Sequence, residues 1–286
     1  MNSKKPMVRK AKKDDFDKVY PLLKKMGHGQ SSREDWQKLF ENHWHLDNFT
    51  PGIILETDEH VVGFLSTIYS HQLVNSKQQV FCNLSSWIVN EAYRSYSFMM
   101  ILSLVRNKDI VLTSYSSNDV SYAVYNKLGF KDGNVSKRIV YPFPSLRALF
   151  GNHKYKIITD ANEIRNRINE NECQIYEDHC SFHPDSYLIT YNKSYCLIMG
   201  VKNKNRFEIY TVSDKDFLQH HLKYFRYQFM KILKVKVIWL NENYLNNKFL
   251  FLSRKVTWGF PYQYKTSNDS VVDPMPLYSE LFLLRM

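Results

Sequence analysis

Two short segments of this sequence carry residues that could do chemistry. In the first, Arg94-Ser-Tyr-Ser97-Phe-Met99 follows an extended apolar stretch and leads into an apolar run that ends near Val105. A helix starting there presents unpaired backbone N–H groups and the positive end of its dipole. The amides of residues 96–100, with the Arg94 guanidinium, would cradle an anion, and Ser97 adds a hydroxyl donor. The alternative is a plain helix start. In the second segment, Asn118-Asp-Val-Ser121-Tyr-Ala-Val-Tyr125-Asn-Lys127-Leu-Gly129-Phe130 sets Asn118 at a helix start and Tyr125 two turns along it.

These segments need a framework. Residues 81–89 read as a strand, 97–106 as a helix apolar nearly all round, 110–115 as a strand and 118–127 as a helix. Upstream, residues 7–11 alternate as a first strand. Asp14 and Asp15 can cap a helix carrying Phe16, Val19, Leu22 and Leu23, interrupted by Pro21 and ended by Gly27 and Gly29. Ser32-Arg-Glu-Asp35 is a capping-box pattern ahead of Trp36, Leu39, Phe40 and Trp44 at helical spacing. Residues 52–57 and 61–69 are strands joined by Asp58-Glu-His60, and residues 75–77 turn the chain into a fourth strand, 79–89. Residues 136–141 make a further strand, and Pro142 with Pro144 begins a linker.

The order strand, turn, helix, strand, helix resembles the core of the GNAT superfamily, the acyl-CoA-dependent N-acyltransferases. The family's first signature, Arg/Gln-x-x-Gly-x-Gly/Ala, falls on Arg94 to Met99. Arg94 matches, while Ser97 and Met99 replace the small residues. The second, Asn-x-x-Ala-x-x-x-Tyr-x-Lys-x-Gly-Phe, is met by Asn118, Tyr125, Lys127, Gly129 and Phe130, with Ser121 for alanine. The resemblance covers about the first half of the chain.

It implies an acetyl-CoA or other acyl-CoA donor whose pyrophosphate rests on Arg94, Ser95, Tyr96, Ser97, Phe98 and Met99. Acyl transfer to an amine also needs a polarised carbonyl, a deprotonated amine and a protonated leaving thiolate. The resemblance gives the first to a backbone N–H near Ile88 and Val89. Asn118 would contact the pantetheine arm or support its loop. Tyr125 would protonate the departing sulfur; the alternative is a half-buried tyrosine packed on Gly129-Phe130. Many relatives place a glutamate base on the fourth strand, and residues 80–89 contain no acid. Glu56 and His71 are the candidates, and His71 has the better intrinsic pKa. A solution-deprotonated amine would need neither.

The second half repeats the element order without visible sequence identity. Residues 155–159 read as a strand, 160–177 as a long helix, and 186–191, 195–201 and 207–212 as three strands. Asp214 caps a helix carrying Phe217, Leu218, Leu222, Phe225 and Phe229. Residues 235–239 read as a strand, and 277–284, which alternates poorly, suits a buried closing strand. The expected fold is therefore α/β (α+β): a mixed, mostly antiparallel sheet flanked by helices, residues 1–145, in tandem with a degenerate GNAT-like lobe, residues 146–286. The closing residues also look like two-lobed bacterial members of the superfamily. The acceptor, a small polar amine such as an amino sugar, is expected between the lobes under Trp36, Trp44 and Trp87.

Composition narrows the field. Of 286 residues, 44% are hydrophobic and 15% aromatic, which marks a folded chain. The formal net charge of +11 fits a lysine-rich surface, or attraction to CoA phosphates or an acidic carrier protein. The charge is scattered, with no zinc spacing or RNA-binding signature, so no metal and no nucleic acid are expected. Four cysteines without a C-x-x-C pair point to reduced thiols in the cytoplasm. No secretory signal or membrane span is read. Two alternatives remain: a long-chain transferase fed by acyl carrier protein, which suits Ser97 and Met99, and a non-catalytic pseudo-acyltransferase scaffold or sensor.

Overall fold

The computed structural model describes residues 5–26, 31–44, 46–47, 49–58, 60–74, 77–133, 136–144, 155–182, 184–246, 248–257, 262–267 and 276–284. The chain divides into two compact units, Met1–Gly133 with Phe260–Met286, and Asn134–Gly259. The division expected after residue 145 is thus replaced by two crossings. Strand pairing decides both. Ser136–Val140, expected in the first lobe, pairs on both edges within the second sheet. Gln263–Lys265 pairs on both edges within the first.

In the first unit the strands are β1 (Met7–Lys10), β2 (Gly52–Glu56), β3 (Val61–Val74), β4 (Lys77–Val89), β5 (Ile110–Ser114), β6 (Lys131–Asp132) and β14 (Gln263–Lys265). They lie in the order β1-β2-β3-β4-β5-β14-β6, and only β4 and β5 are parallel. The helices are α1 (Phe16–Leu23), α2 (Arg33–Gln37), α3 (Ser97–Arg106), α4 (Asp119–Lys127) and α8 (Glu280–Leu283). Met100, Ile101 and Leu104 of α3 pack with Leu55, Leu65, Cys82, Leu84 and Leu112 of the sheet. Each such burial contributes about 1.5–3 kcal/mol, which is what holds α3 against the sheet. Near α1, the rings of Phe16, Phe40 and Phe64 follow one another at 5.3 Å spacings. The capping box read at Ser32 and Asp35 forms as expected.

The second unit holds β7 (Ser136–Val140), β8 (Lys156–Ile158), β9 (Asp185–Tyr191), β10 (Ser194–Asn203), β11 (Arg206–Val212), β12 (Val237–Asn241) and β13 (Ser253–Thr257). Their order is β13-β7-β12-β11-β10-β9-β8, with β11 and β12 parallel. Its helices are α5 (Ala161–Arg165), α6 (Glu170–Cys180) and α7 (Lys215–Leu233). This unit repeats the element order of the first. Two expectations are corrected. The helix read over 160–177 is two, because Asn169 accepts from the Glu172 amide and Glu172 answers in a capping box that starts a new helix. The closing stretch is not a strand but a 3-10 turn, Pro276–Tyr278, followed by α8. A short run of buried apolar residues carries no period that separates the two.

Candidate active site

Pairing between β4 and β5 runs from Val80–Ile110 to Asn83–Thr113 and then stops. A cavity of about 50 Å³ lies beyond that point. Leu84, Ser85, Ser86 and Trp87 line it from β4, and Ser114, Ser116 and Ser117 from the end of β5. Asn118, Ser121 and Tyr125 line it from the start and body of α4, and Met26 and Leu284 complete it. By the measure in which one water needs about 10–15 Å³, it has room for a few waters or a small acyl group.

A β-bulge shapes the β4 wall. Phe64 of β3 pairs with Ile88 and Ser66 with Ser85, so Ser86 and Trp87 together face the single residue Leu65. Ser86 takes the strain at φ 47°. A non-glycine residue there costs on the order of 1 kcal/mol, and such outliers gather at functional sites. Opposite, the Asn118 side chain caps α4 by accepting from the Ser121 amide at 2.9 Å, and the Ser121 hydroxyl also bonds Asn118. The far end of α4 closes through Gly129 at φ 78°, with the Phe130 amide returning to the Tyr125 carbonyl. That left-handed close is what the glycine of the Gly129-Phe130 pair supplies.

Tyr125 is buried at the cavity wall, its ring between Trp87 (5.7 Å) and Phe130 (4.9 Å). Burial raises its pKa, the Glu280 carboxyl raises it further, and a hydrogen bond with the Ser114 side chain opposes them. Tyr125 therefore keeps its proton at neutral pH. Glu280 itself is completely buried and takes a short hydrogen bond from the Ser116 hydroxyl on Oε1. Its backbone N–H donates to Asn83 Oδ1 at 3.4 Å. Burial pushes its pKa up to about 7, against the donors Ser116, its own amide, Asn83 and the Tyr115 amide. Two polar atoms here have no hydrogen-bond partner among the described residues: Trp87 Nε1, a donor, and Glu280 Oε2, an acceptor.

The segment expected to cradle an anion forms a helix start. A 3-10 helix, Glu91–Tyr96, runs directly into α3, and no side chain caps either start. Arg94 is largely exposed, with Glu91 at 3.9 Å. An uncapped helix start beside an exposed guanidinium is a place where a phosphate group could bind. Phe98 and Met99 hold apolar side chains out to solvent in the first turn of α3, where the family pattern has a small residue at the second of these positions.

No protein-family model matches the sequence, and no curated protein matches it. Solved structures do match. One from Enterococcus faecalis, described as a probable N-acyltransferase, superposes with a TM-score of 0.58 at 12% identity, over 92% of this chain and 73% of that one. A tandem GNAT protein from the clavulanic acid biosynthesis pathway gives 0.50 at 10% identity, over 93% and 100%. The glucosamine N-acetyltransferase region of a fungal multi-domain β-N-acetylglucosaminidase gives 0.61 at 10% identity, over 91% and 38%. The chain has the two-lobed GNAT fold.

Within the first GNAT unit, the predicted residues separate into two groups. Asn118, Tyr125 and Trp87 meet at the cavity. Ile88 and Val89 pair with Phe64 and Gly63, just past the bulge, which itself falls at Ser86 and Trp87. The three tryptophans do not converge. Trp36 is buried in α2, and Trp44 packs edge-on to Tyr278 at 5.0 Å and lines a different, much smaller hollow. His71 is exposed opposite Val80, five residues along β3 from Ser66, which is roughly 16 Å. Glu56 is held by Arg9 Nε at 2.8 Å on β2, two strands away from β4. Neither candidate base lines the cavity. Ser116 and Glu280 were not singled out from sequence. The available signal was a lone carboxylate inside a largely apolar run, since a buried acid needs a partner or a task.

Among the described residues no group of three or more His, Cys, Asp or Glu stands close enough to hold a metal, and no helix is long and apolar enough to cross a membrane.

Proposed function

We propose that the chain is an N-acyltransferase moving an acyl group from acyl-CoA to an amine of a small polar acceptor by direct transfer, with no acyl-enzyme. The observation that carries this is the cavity where β4 leaves β5, with a protonated Tyr125 hydroxyl on one wall and a bulged strand on the other. Acetyl-CoA is the default donor, its phosphates on Arg94 and the start of α3. Tyr125 would hand its proton to the departing sulfur, and Asn118 would keep the α4 end of the wall in place. The acceptor class proposed is an amino sugar; one structure of this fold is a glucosamine N-acetyltransferase region. Four unpaired cysteines suit a reducing, cytoplasmic setting.

An acceptor-library screen following release of the CoA thiol tests the reading. Acetyl-CoA should also raise the melting temperature, since a ligand bound by the folded state alone stabilises it, and Arg94→Ala should shrink that rise. Exposed Phe98 and Met99 favour a second reading, a long acyl chain delivered by acyl carrier protein. Binding of acyl carrier protein with no heat and no thermal shift from saturating acetyl-CoA would decide for it. Binding of acetyl-CoA with transfer to no amine would decide for a non-catalytic sensor.

A further inference from the structure

Glu280 is a carboxylate in an unusual position. It is completely buried, forms no ion pair among the described residues, and leaves Oε2 without a partner. Its other oxygen takes the hydrogen bond of Ser116, which lines the cavity from the end of β5. A buried carboxylate left half satisfied costs stability unless something uses it. The ionisable groups close to it are Tyr125 on α4 and, one step further, Cys82 on β4, both protonated at neutral pH by their burial.

We propose, building on the acyltransferase reading above, that Ser116 and Glu280 form the proton relay that deprotonates the acceptor amine. The amine nitrogen attacks the thioester carbonyl; the C–N bond forms and the C–S bond breaks. The nitrogen gives its proton to Ser116 Oγ as the Ser116 proton passes to Glu280 Oε1. The sulfur leaves with the proton of Tyr125. Glu280, now neutral, returns its proton to the Tyr125 oxygen, and both groups are restored. Tyr125 and Glu280 are close enough to influence each other's ionisation, so two negative charges there would repel. The relay avoids this: Glu280 is neutral whenever Tyr125 is charged. Its titration near neutrality suits a general base, which works best with a pKa close to the operating pH.

The test is the pH profile of kcat/KM for the full chain with acetyl-CoA and an acceptor found by the screen, for wild type, Glu280→Gln and Ser116→Ala. The wild type should lose activity below a midpoint near 7. Glu280→Gln should lose that limb and fall by about 10²–10⁴-fold at pH 8, with acetyl-CoA affinity within about threefold. Ser116→Ala, which leaves the buried acid in place, should lose at least tenfold and shift the limb; it carries the test if Glu280→Gln does not fold. An active wild type whose limb survives in both variants, at near-full activity, overturns the relay and leaves the transferase standing. A wild type that binds acetyl-CoA and acylates no amine overturns the transferase reading, and the relay with it.

Discussion

The two units contain the same junction, and treat it in opposite ways. In each, a parallel pair of strands stops pairing midway, β4 with β5 after Asn83–Thr113 and β11 with β12 after Glu208–Trp239. In each, the strand of that pair that comes first in the chain is bulged, at Ser86 and Trp87 in β4 and at Tyr210 in β11, where β10 pairs Met199 with Thr211 and Gly200 with Ile209. In the second unit the Tyr244 hydroxyl donates to the Tyr210 carbonyl at 2.8 Å, and Tyr244 and Leu245 join the hydrophobic core. The bulge there is sealed by its own chain. In the first unit serines and Tyr125 surround a hollow. The helices that follow differ likewise. The Asp214 side chain accepts from the Phe217 amide at the start of α7, whereas α3 has no side-chain cap. A carboxylate on the helix start occupies the place an anionic ligand would take. The same fold thus leaves this junction open in the first unit and closes it in the second with a tyrosine and an aspartate.

The sharpest way to break this comparison is to alter the two tyrosines. Tyr125→Phe keeps the ring and its packing, so the fold should hold to within about 1 kcal/mol. Turnover should fall by about 10²–10⁴-fold with acetyl-CoA affinity near unchanged, the lower end applying because a thiolate leaves readily. Full activity would make Tyr125 a packing residue. Next in size is the buried acid. Glu280 has a folded pKa near 7 against an ordinary 4.5. The folded state holds the proton longer, so its stability falls as pH rises from 4.5 to 7, by about 3 kcal/mol in all. In denaturant titrations Glu280→Gln should lack this fall, so the variant gains on wild type by about that amount between pH 4.5 and 8. Parallel curves would refute the raised pKa.

Tyr244→Phe leaves the Tyr210 carbonyl unpaired in a buried place, which costs about 1–3 kcal/mol. Its midpoint of unfolding should drop while turnover stays at the wild-type value; a loss of turnover would mean the second bulge is not merely sealed. The smallest effect is expected from Asp214→Ala, which removes a helix cap worth about 1 kcal/mol. Calorimetry should show lower stability and no change in acetyl-CoA binding.

Much of this was legible in the sequence. The Asn118 to Phe130 pattern located α4, its cap and its glycine close, because those are local devices whose residues sit at fixed spacings. The apolar helix α3 and the capping box at Ser32 and Asp35 were legible for the same reason. The unit boundary was not. Ser136–Val140 and Gln263–Lys265 read as strands whichever sheet receives them, and only non-local pairing chooses. The base was sought by intrinsic titration, which favoured His71 and Glu56. The fold overrode that choice: register carries His71 down β3, and Arg9 claims Glu56. Glu280 gains its properties from burial beside Asn83 and Ser116, neither of which is near it in the sequence.

The return of the chain to the first unit has a consequence for biosynthesis. Ser116 and Glu280 are bonded partners 164 positions apart. A ribosome delivers the cavity walls from β4, β5 and α4 long before it delivers β14 and α8, with the whole second unit made in between. Until then β5 presents an open edge, the kind that templates unwanted pairing. Contacts of such long range also slow folding, because loop closure must precede the interactions that offset it. The first unit therefore begins before the second and is completed only after the second has been made.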